Sequence, residues 1–363
     1  MDYTGKKIVL TGGGTAGHVS PNIALIPKLK ELGFEVEYIG SYEGIEKQLI
    51  EEVGIPYHPI SSGKLRRYLS MKNLSDPFKV LKGLKQAMDL LKEIKPDIIF
   101  SKGGFVSVPV AMAAKRCKIP CIIHECDMTP GLANKIAMPF AYRVCTNFAE
   151  TVDKIKDGKG VHTGTPIREE LLHGSKEEGL KLCGFTPDKP VIMVTGGSLG
   201  AGAINDAVRE AIVPLTEEFQ VVHLCGKGKL DEKLERASSY HQLEYAGPEM
   251  KHLYAAADMV ISRAGANTLA EILALALPNI LIPLPLSQSR GDQILNAESF
   301  EKKGFSYVLP QEKLTADSLL AAVHEVWKNR ENYAAAMNAA PDKNGLEAVL
   351  NVILEELQQT ERN

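Results

Sequence analysis

The sequence predicts an α/β protein of two doubly wound parallel-sheet domains whose facing loops form a cleft. Three observations carry that prediction. The strand-like run Lys7-Ile8-Val9-Leu10 leads into the glycine-rich stretch Thr11-Gly12-Gly13-Gly14-Thr15-Ala16-Gly17-His18 and then into an apolar helical pattern. The same order of strand, glycine loop and helix returns at the midpoint, where Val191-Ile192-Met193-Val194 runs into Thr195-Gly196-Gly197-Ser198-Leu199-Gly200-Ala201. Around these two points strand-like and helix-like segments alternate, which is the pattern of a parallel sheet covered by helices on both faces. A chain of 363 residues is also too long for one ordinary core.

In the first half, strands are expected over 7–11, 35–39, 97–101, 120–124 and 143–146, and helices over 21–32, 43–53, 77–95, 107–117 and 130–138. Pro21 sits well at a first helical position, ahead of the stripe Ile23, Leu25, Ile26, Leu29 and Leu32. The glycines before it remove Cβ atoms that would hold a ligand off the backbone, and a helix N-terminus after such a loop receives a phosphate. A tight turn with a helix-capping histidine is the plainer reading of the same residues. The strand 35–39 ends in Gly40-Ser41, so no acid stands where a dinucleotide fold clasps a ribose, and Gly-Gly-Gly-Thr-Ala-Gly is not a GxGxxG. Both facts disfavour a dehydrogenase.

Between 147 and 190 the texture becomes polar and loop-like, and a charged helix is expected over 169–182. The domains are therefore expected to be 1–163 and 164–344. In the second half the expected strands include 191–195, 221–224, 259–261 and 279–282, with helices over 250–257 and 267–276. The last segment, 345–363, carries an amphipathic helix (Leu346, Val349, Leu350, Ile353, Leu354, Leu357) able to pack back on the first domain.

The composition, 44% hydrophobic and 24% charged, is that of a globular protein. No apolar run approaches the ~18–20 residues that span a bilayer. The N-terminus shows no cleavable signal pattern, so a cytoplasmic protein is expected. The net charge of −3 hides an asymmetry, with 23 Lys and Arg against 17 Asp and Glu in residues 1–165 and 19 against 28 in the remainder. Much of the excess lies in Lys64, Arg66, Arg67, Lys72, Lys79, Lys82 and Lys85, interleaved with Leu65, Tyr68, Leu69, Met71 and Leu74. That patch reads either as a solvated helix face or as a surface for anionic membrane. An acidic chain without a binding module does not point to nucleic acid. The six cysteines form no CxxC pair and read as free thiols rather than a zinc site.

Several polar stretches follow strands and so fall at the sheet edge where ligands of such folds bind. They are Ser101-Lys102-Gly103-Gly104-Phe105-Val106-Ser107, His124-Glu125, and Ser262-Arg263-Ala264-Gly265 with Glu271 one turn into the next helix, while Thr163-Gly164-Thr165-Pro166-Ile167-Arg168, in the polar linker stretch, has a turn and an exposed cation. Glu271 can accept both hydroxyls of a ribose or serve the helix dipole, and Ser198 suits phosphate oxygens. His124 reads equally as a satisfied buried histidine. Asp292, Gln293 and Asn296 offer polar groups at helical spacing.

Seven of these segments, Gly13–His18, Lys102–Ser107, His124-Glu125, Gly164–Arg168, Gly196–Ala201, Arg263–Ala266 with Glu271, and Asp292-Gln293 with Asn296-Ala297, stand in the order found in the MurG family. The chain resembles these UDP-N-acetylglucosamine:lipid-I N-acetylglucosaminyltransferases of peptidoglycan synthesis over residues 7–330. It departs at Ala16, where the family usually has glycine. The resemblance implies a GT-B fold, with the nucleotide mainly in the C-terminal domain and the lipid acceptor on the N-terminal one. It implies inverting transfer of GlcNAc from UDP-GlcNAc to the C4 hydroxyl of a polyprenyl-pyrophosphate-linked muramoyl peptide, with no metal or other cofactor. The enzyme would then lie peripherally on the cytoplasmic face of the membrane. Carried over residue by residue, Thr15, Ala16, Gly17, Arg168, Ser198, Gly265, Glu271, Gln293 and Asn296 would bind the donor. His18 would be the general base, and Lys102, Gly104, Phe105, His124 and Glu125 are candidates on the acceptor side. The rival readings are another GT-B enzyme, such as a glycolipid glucosyltransferase or a UDP-GlcNAc 2-epimerase, and a non-catalytic nucleotide-sugar-binding protein.

Overall fold

Runs such as Ile8-Val9-Leu10 and Ile98-Ile99-Phe100 are apolar at every position and are fully buried, as strands are when helices cover both faces of a parallel sheet. The computed structural model describes residues 2–63, 76–197, 200–234, 238–341, 343 and 345–362. Two compact units make up the chain, residues 1–168 with 344–363, and residues 169–343.

The first unit holds seven strands, β1 (Lys7–Thr11), β2 (Glu35–Ser41), β3 (Tyr57–Ile60), β4 (Ile98–Ser101), β5 (Cys121–Glu125), β6 (Arg143–Thr146) and β7 (Gly160–His162). Their order is β3-β2-β1-β4-β5-β6-β7, and every pair is parallel. The second unit holds β8 (Val191–Thr195), β9 (Gln220–Leu224), β10 (Tyr240–Leu243), β11 (Met259–Ser262), β12 (Asn279–Leu281) and β13 (Tyr307–Val308), in the order β10-β9-β8-β11-β12-β13, again all parallel. Each sheet therefore grows outward in one direction and then reverses, between β1 and β4 in one unit and between β8 and β11 in the other. Chains leaving the carboxyl ends of strands on either side of such a reversal diverge and open a crevice. At both reversals the register is tight: Thr11 lies beside Ser101, and Thr195 beside Ser262.

Four strands were not read from the sequence: β3, β7, β10 and β13. Each is two to four residues long and lies at or next to a sheet edge, so none has the unbroken apolar signature. The helices Ala316–Lys328 and Arg330–Asn338 were also missed. The helix expected over 169–182 is in fact two pieces, a 3₁₀ segment Glu169–His173 and a helix Lys176–Cys183. The break falls where a Cβ on Gly174 would meet the Lys251 carbonyl at 1.9 Å, and Ser175 then caps the second piece by accepting from the Glu178 N–H at 3.2 Å.

The terminal helix Gly345–Arg362 packs into the core of the first unit through Leu346, Val349, Leu350, Ile353 and Leu357. Arg143 Nε, at 2.8 Å from the buried carboxylate of Glu356, ties it to β6. Residues 164–168 stay with this unit, beyond the division at 163/164 expected from composition. The Thr163 and Gly164 N–H groups donate to the Thr146 carbonyl at 3.0 and 3.2 Å, and Gly345 packs on Thr165 so closely that a Cβ there would lie 2.5 Å from the Thr165 oxygen. All six cysteines are free, four of them buried.

Of the basic patch, residues 64–74 lie outside the described residues. Lys79, Lys82 and Lys85 lie exposed on the helix Asp76–Ile94.

Candidate functional site

The first unit's reversal point is built on β1 and β4. Beyond Thr11 the chain turns through Gly12–Gly14, makes a single 3₁₀ turn at Ala16–His18 and enters the helix Ser20–Glu31 with Pro21 in its first turn. Buried polar groups grip this loop from beneath. Tyr38 OH donates to the Gly12 carbonyl at 2.8 Å, and Asn22 Nδ2 donates to the Thr11 carbonyl at 3.1 Å and to Tyr38 OH at 3.2 Å. Glu46, fully buried in the first turn of the helix Ile45–Val53, accepts from Gly14 N–H at 3.1 Å and from both the N–H (3.2 Å) and hydroxyl of Ser41. From the other side, Gly13 N–H donates to the Gly103 carbonyl at 3.2 Å.

His18 emerges half-buried from this frame. Its Nδ1 lies 3.0 Å from the Gly13 carbonyl oxygen and 3.2 Å from Thr15 Oγ1. A carbonyl only accepts, so Nδ1 carries the proton and Nε2 holds the basic lone pair. Thr15 is exposed, and Ala16 and Gly17 are half-buried.

The acceptor-side candidates divide sharply by burial. Gly104 and Phe105 are partly exposed, whereas Lys102, His124 and Glu125 are buried. His124 Nε2 donates to the Gly164 carbonyl at 2.8 Å, which fixes Nδ1 as an acceptor, and Lys102 Nζ donates to it at 2.6 Å. Burial first, then the neighbouring Lys102 ammonium, holds His124 well below the ordinary histidine range, and burial lowers Lys102 as well. Glu125 accepts from the N–H groups of Asp127 and Gly131 and from Asn134 Nδ2, at 3.0, 3.0 and 2.9 Å. Burial raises its carboxyl even so. These three side chains set the shape of the loops above them.

In the second unit, Gly197 has a left-handed backbone (φ +80°), and a Cβ on Gly200 would lie 2.0 Å from the Cys225 carbonyl, so this loop packs tightly against the end of β9. The helix Gly202–Glu210 follows. Ser198 lies outside the described residues. After β11, Arg263 is buried, its Nη1 donating to the carbonyls of Ile282 and Pro283 at 2.9 and 3.3 Å and its Nη2 to Gln311 Oε1 at 2.6 Å. Gly265 caps the helix Ala266–Leu275 in an extended conformation, with open space where a Cβ would stand. Glu271 is half-buried in the second turn of that helix, and Tyr254 OH donates to its Oε2 at 2.7 Å. Gln293, near the start of the helix Asp292–Lys302, accepts from Leu284 N–H at 3.1 Å through its oxygen. Asn296 is fully buried and donates to the Ala264 carbonyl at 3.2 Å, joining that helix to the β11 loop. Arg168 is half-buried at the end of the first unit's chain segment.

Among the described residues, one group has metal-ligand spacing, Glu125, Cys126 and Asp127, with donor atoms within 4.8 Å of one another. The Glu125 carboxylate is already committed to three N–H donors, which leaves this set poorly suited to an ion.

Residues 8–146 match the glycosyltransferase family 28 N-terminal domain, and residues 191–352 match the family's C-terminal domain. The chain belongs to glycosyltransferase family 28. The two matched segments begin on β1 and β8, so each includes one reversal-point loop. Among curated relatives of this family, a UDP-N-acetylglucosamine--N-acetylmuramyl-(pentapeptide) pyrophosphoryl-undecaprenol N-acetylglucosamine transferase of Lachnoclostridium phytofermentans is 59% identical over 350 residues, covering 96% of this chain and 99% of the relative. One of the same description from Lachnospira eligens is 60% identical over 348 residues, covering 96% and 98%. The crystal structure of Acinetobacter baumannii MurG superposes with a TM-score of 0.75 at 26% identity, covering 96% of this chain and 99% of that one. The two-sheet architecture is the GT-B fold of such glycosyltransferases.

Sequence reasoning missed Glu46, Tyr38 and Asn22 under the first unit's loop and Tyr254 beside Glu271 in the second. The one available signal was their spacing from the loops they support, and it is weak. Each lies on a neighbouring element rather than in the loop it holds.

Proposed function

We propose that the protein transfers GlcNAc from UDP-GlcNAc to the C4 hydroxyl of undecaprenyl-pyrophosphoryl-MurNAc-pentapeptide, the step from lipid I to lipid II in peptidoglycan synthesis. The observation that carries this reading is the near-full-length match to transferases of that description, within family segments that begin on β1 and β8 and take in both reversal-point loops.

The acceptor hydroxyl attacks the anomeric carbon of the donor. A C–O bond forms, the bond to the diphosphate breaks, and the sugar inverts. His18 Nε2 takes the hydroxyl proton, a role supported by the Nδ1 hydrogen bond to Gly13 that leaves Nε2 as the basic nitrogen. UDP departs carrying the added negative charge. Helix N-termini at Gly202 and Ala266, with Arg168, stabilise that charge by dipole and Coulomb attraction. Glu271 accepts ribose hydroxyls with its orientation set by Tyr254, and Gln293, its oxygen occupied by Leu284 N–H, offers its NH₂ to a GlcNAc hydroxyl. Thr15, Ala16, Gly17, Gly265 and Ser198 complete the donor contacts. Asn296 acts from beneath, by holding Ala264. Gly104 and Phe105 meet the acceptor, while Lys102 and His124 brace the Gly164 carbonyl and Glu125 holds the turn from Asp127 to Gly131.

The protein works as a peripheral enzyme on the cytoplasmic face of the membrane. In support, the helix Asp76–Ile94 exposes Phe78 (74%) and Leu81 (61%) beside Lys79, Lys82 and Lys85, an apolar and cationic mixture suited to anionic lipid. Among the described residues, no helix is long and apolar enough to cross a membrane.

The test is incubation of labelled UDP-GlcNAc with and without a lipid-I analogue, in the presence and absence of EDTA. Label is expected in the lipid product only when the acceptor is present, with or without EDTA. Conversion of the donor to its 2-epimer without acceptor, or binding of donor without turnover, would overturn the reading.

A further inference from the structure

Glu46 is a buried carboxylate for which the transfer reaction as described has no use. Its Oε2 accepts from Gly14 N–H at 3.1 Å, and the carbonyl of the same peptide unit, Gly13 C=O, accepts from His18 Nδ1 at 3.0 Å. No cis peptide interrupts this unit. The carboxylate, the planar amide and the imidazole thus form one hydrogen-bonded chain. A peptide whose N–H donates to an anion becomes a stronger acceptor at its oxygen, because the two hydrogen bonds polarise the amide in the same sense.

We propose that Glu46 is a positioning residue that acts on His18 through the Gly13–Gly14 peptide, fixing the Nδ1–H tautomer and ring orientation so that Nε2 is presented as the base. The proposal rests on the reading of His18 as the base. It assigns to a glutamate one peptide away the part that a carboxylate directly on the imidazole plays in a catalytic triad. A simple structural staple would need Glu46 to hold Gly14, but not to be charged. Charge matters here because the anion stabilises the imidazolium that forms when His18 takes a proton.

The other titratable groups around this peptide do not compete for that role. Tyr38, from β2, donates to the Gly12 carbonyl, and Tyr57, from β3, donates to the Ser41 carbonyl at 2.6 Å. Burial pushes both phenols well above their usual range, so both are neutral at physiological pH. Lys102, following β4, has its Cβ 3.3 Å from where a Cβ on Gly12 would stand, but its ammonium is turned to His124. Glu46 is the carboxylate bonded to this peptide. Gly13 shows how closely it sits, since a Cβ there would lie 2.5 Å from Glu46 Oε1.

The test compares wild type, Glu46→Gln, Glu46→Asp and His18→Ala, using ¹⁵N-histidine NMR for the tautomer and titration of His18, with the His18→Ala spectrum giving the assignment. In wild type the neutral His18 is expected to carry its proton on Nδ1. Glu46→Gln is expected to lower the His18 titration midpoint by about 0.5–1 pH unit and to move the acid limb of the kcat/KM profile with it. Glu46→Asp keeps the charge and restores most of the midpoint. If Glu46→Gln lowers kcat but leaves both the midpoint and the tautomer unchanged, Glu46 is a staple and the proposal fails. Glu46→Gln combined with His18→Ala is expected to cost no more than His18→Ala alone, and an additive loss would also overturn it. Full activity of His18→Ala would instead overturn the base itself, which separates the two failures.

Discussion

Replacing Gly104 by alanine should open the joint between the two glycine loops of the first unit. Gly104 has φ +84°, and a Cβ added there would lie 2.2 Å from the Gly13 carbonyl oxygen and 3.1 Å from the Gly13 carbonyl carbon and nitrogen. The left-handed conformation alone costs an alanine roughly 1–2 kcal/mol. The contact cannot be relieved by a side-chain rotation, because the opposing atom is backbone, so the loops must separate by about 1 Å to reach an ordinary non-bonded distance. That movement pulls on the oxygen that holds His18 Nδ1 and on the hydrogen bond from Gly13 N–H to Gly103. A displacement of this size near a reacting group costs on the order of 10²-fold in rate. The assay is kcat for GlcNAc transfer to a lipid-I analogue, with UDP-GlcNAc affinity by calorimetry and thermal melting as controls. The expected result is a kcat down by about 10²-fold and a melting temperature down by roughly 5–10 °C, with donor affinity nearly unchanged. A folded Gly104→Ala enzyme with kcat within about threefold of wild type would refute the idea that these loops fix His18.

Three further outcomes follow from individual contacts. Tyr254→Phe removes the hydroxyl that orients Glu271, and should raise KM for UDP-GlcNAc by about 5–10-fold with kcat little changed, as expected for one lost hydrogen bond to a charged group. Asn296→Ala should destabilise the second unit by about 1–3 kcal/mol in urea unfolding, because it leaves the buried Ala264 carbonyl without this donor. His223 is held down to about 3 by burial and then by the Arg209 guanidinium, so it is neutral in the folded state over a range where the unfolded chain binds a proton. The stability it lends is complete above about pH 6.5 and is lost as pH falls towards 3, at up to about 1.4 kcal/mol per unit. Unfolding free energies of His223→Gln should accordingly show a flatter fall between pH 7 and 5 than those of wild type.

The architecture was legible because its signals are local. β1 and β8 each announce themselves as a short apolar run stopped by glycine, and the terminal helix shows an unbroken stripe from Leu346 to Leu357. The short strands β3 and β13 carry no such run, since β3 contains a histidine and a proline and β13 has two residues. The gap in the expected 169–182 helix depended on a contact with Lys251, almost eighty residues away, which no local pattern encodes. The candidate site shows the same divide. His18 and Glu271 stand out because they adjoin glycine loops. Glu46 sits in a helix whose other charged residues, Lys47, Glu51 and Glu52, are exposed, so it reads as one more surface acid. Lys102 looks like a ligand-facing group in sequence and His124 reads equally as that or as a buried histidine, and in the structure they bond to each other and to Gly164, because a buried lysine and histidine need partners wherever they lie.

If the first glycine loop supplies the base, single-turnover transfer by His18→Ala with UDP-GlcNAc prebound must be slow. The predicted result is a rate lower by about 10²–10⁴-fold with donor affinity unchanged, the usual contribution of a positioned base. Transfer at close to the wild-type rate would contradict it.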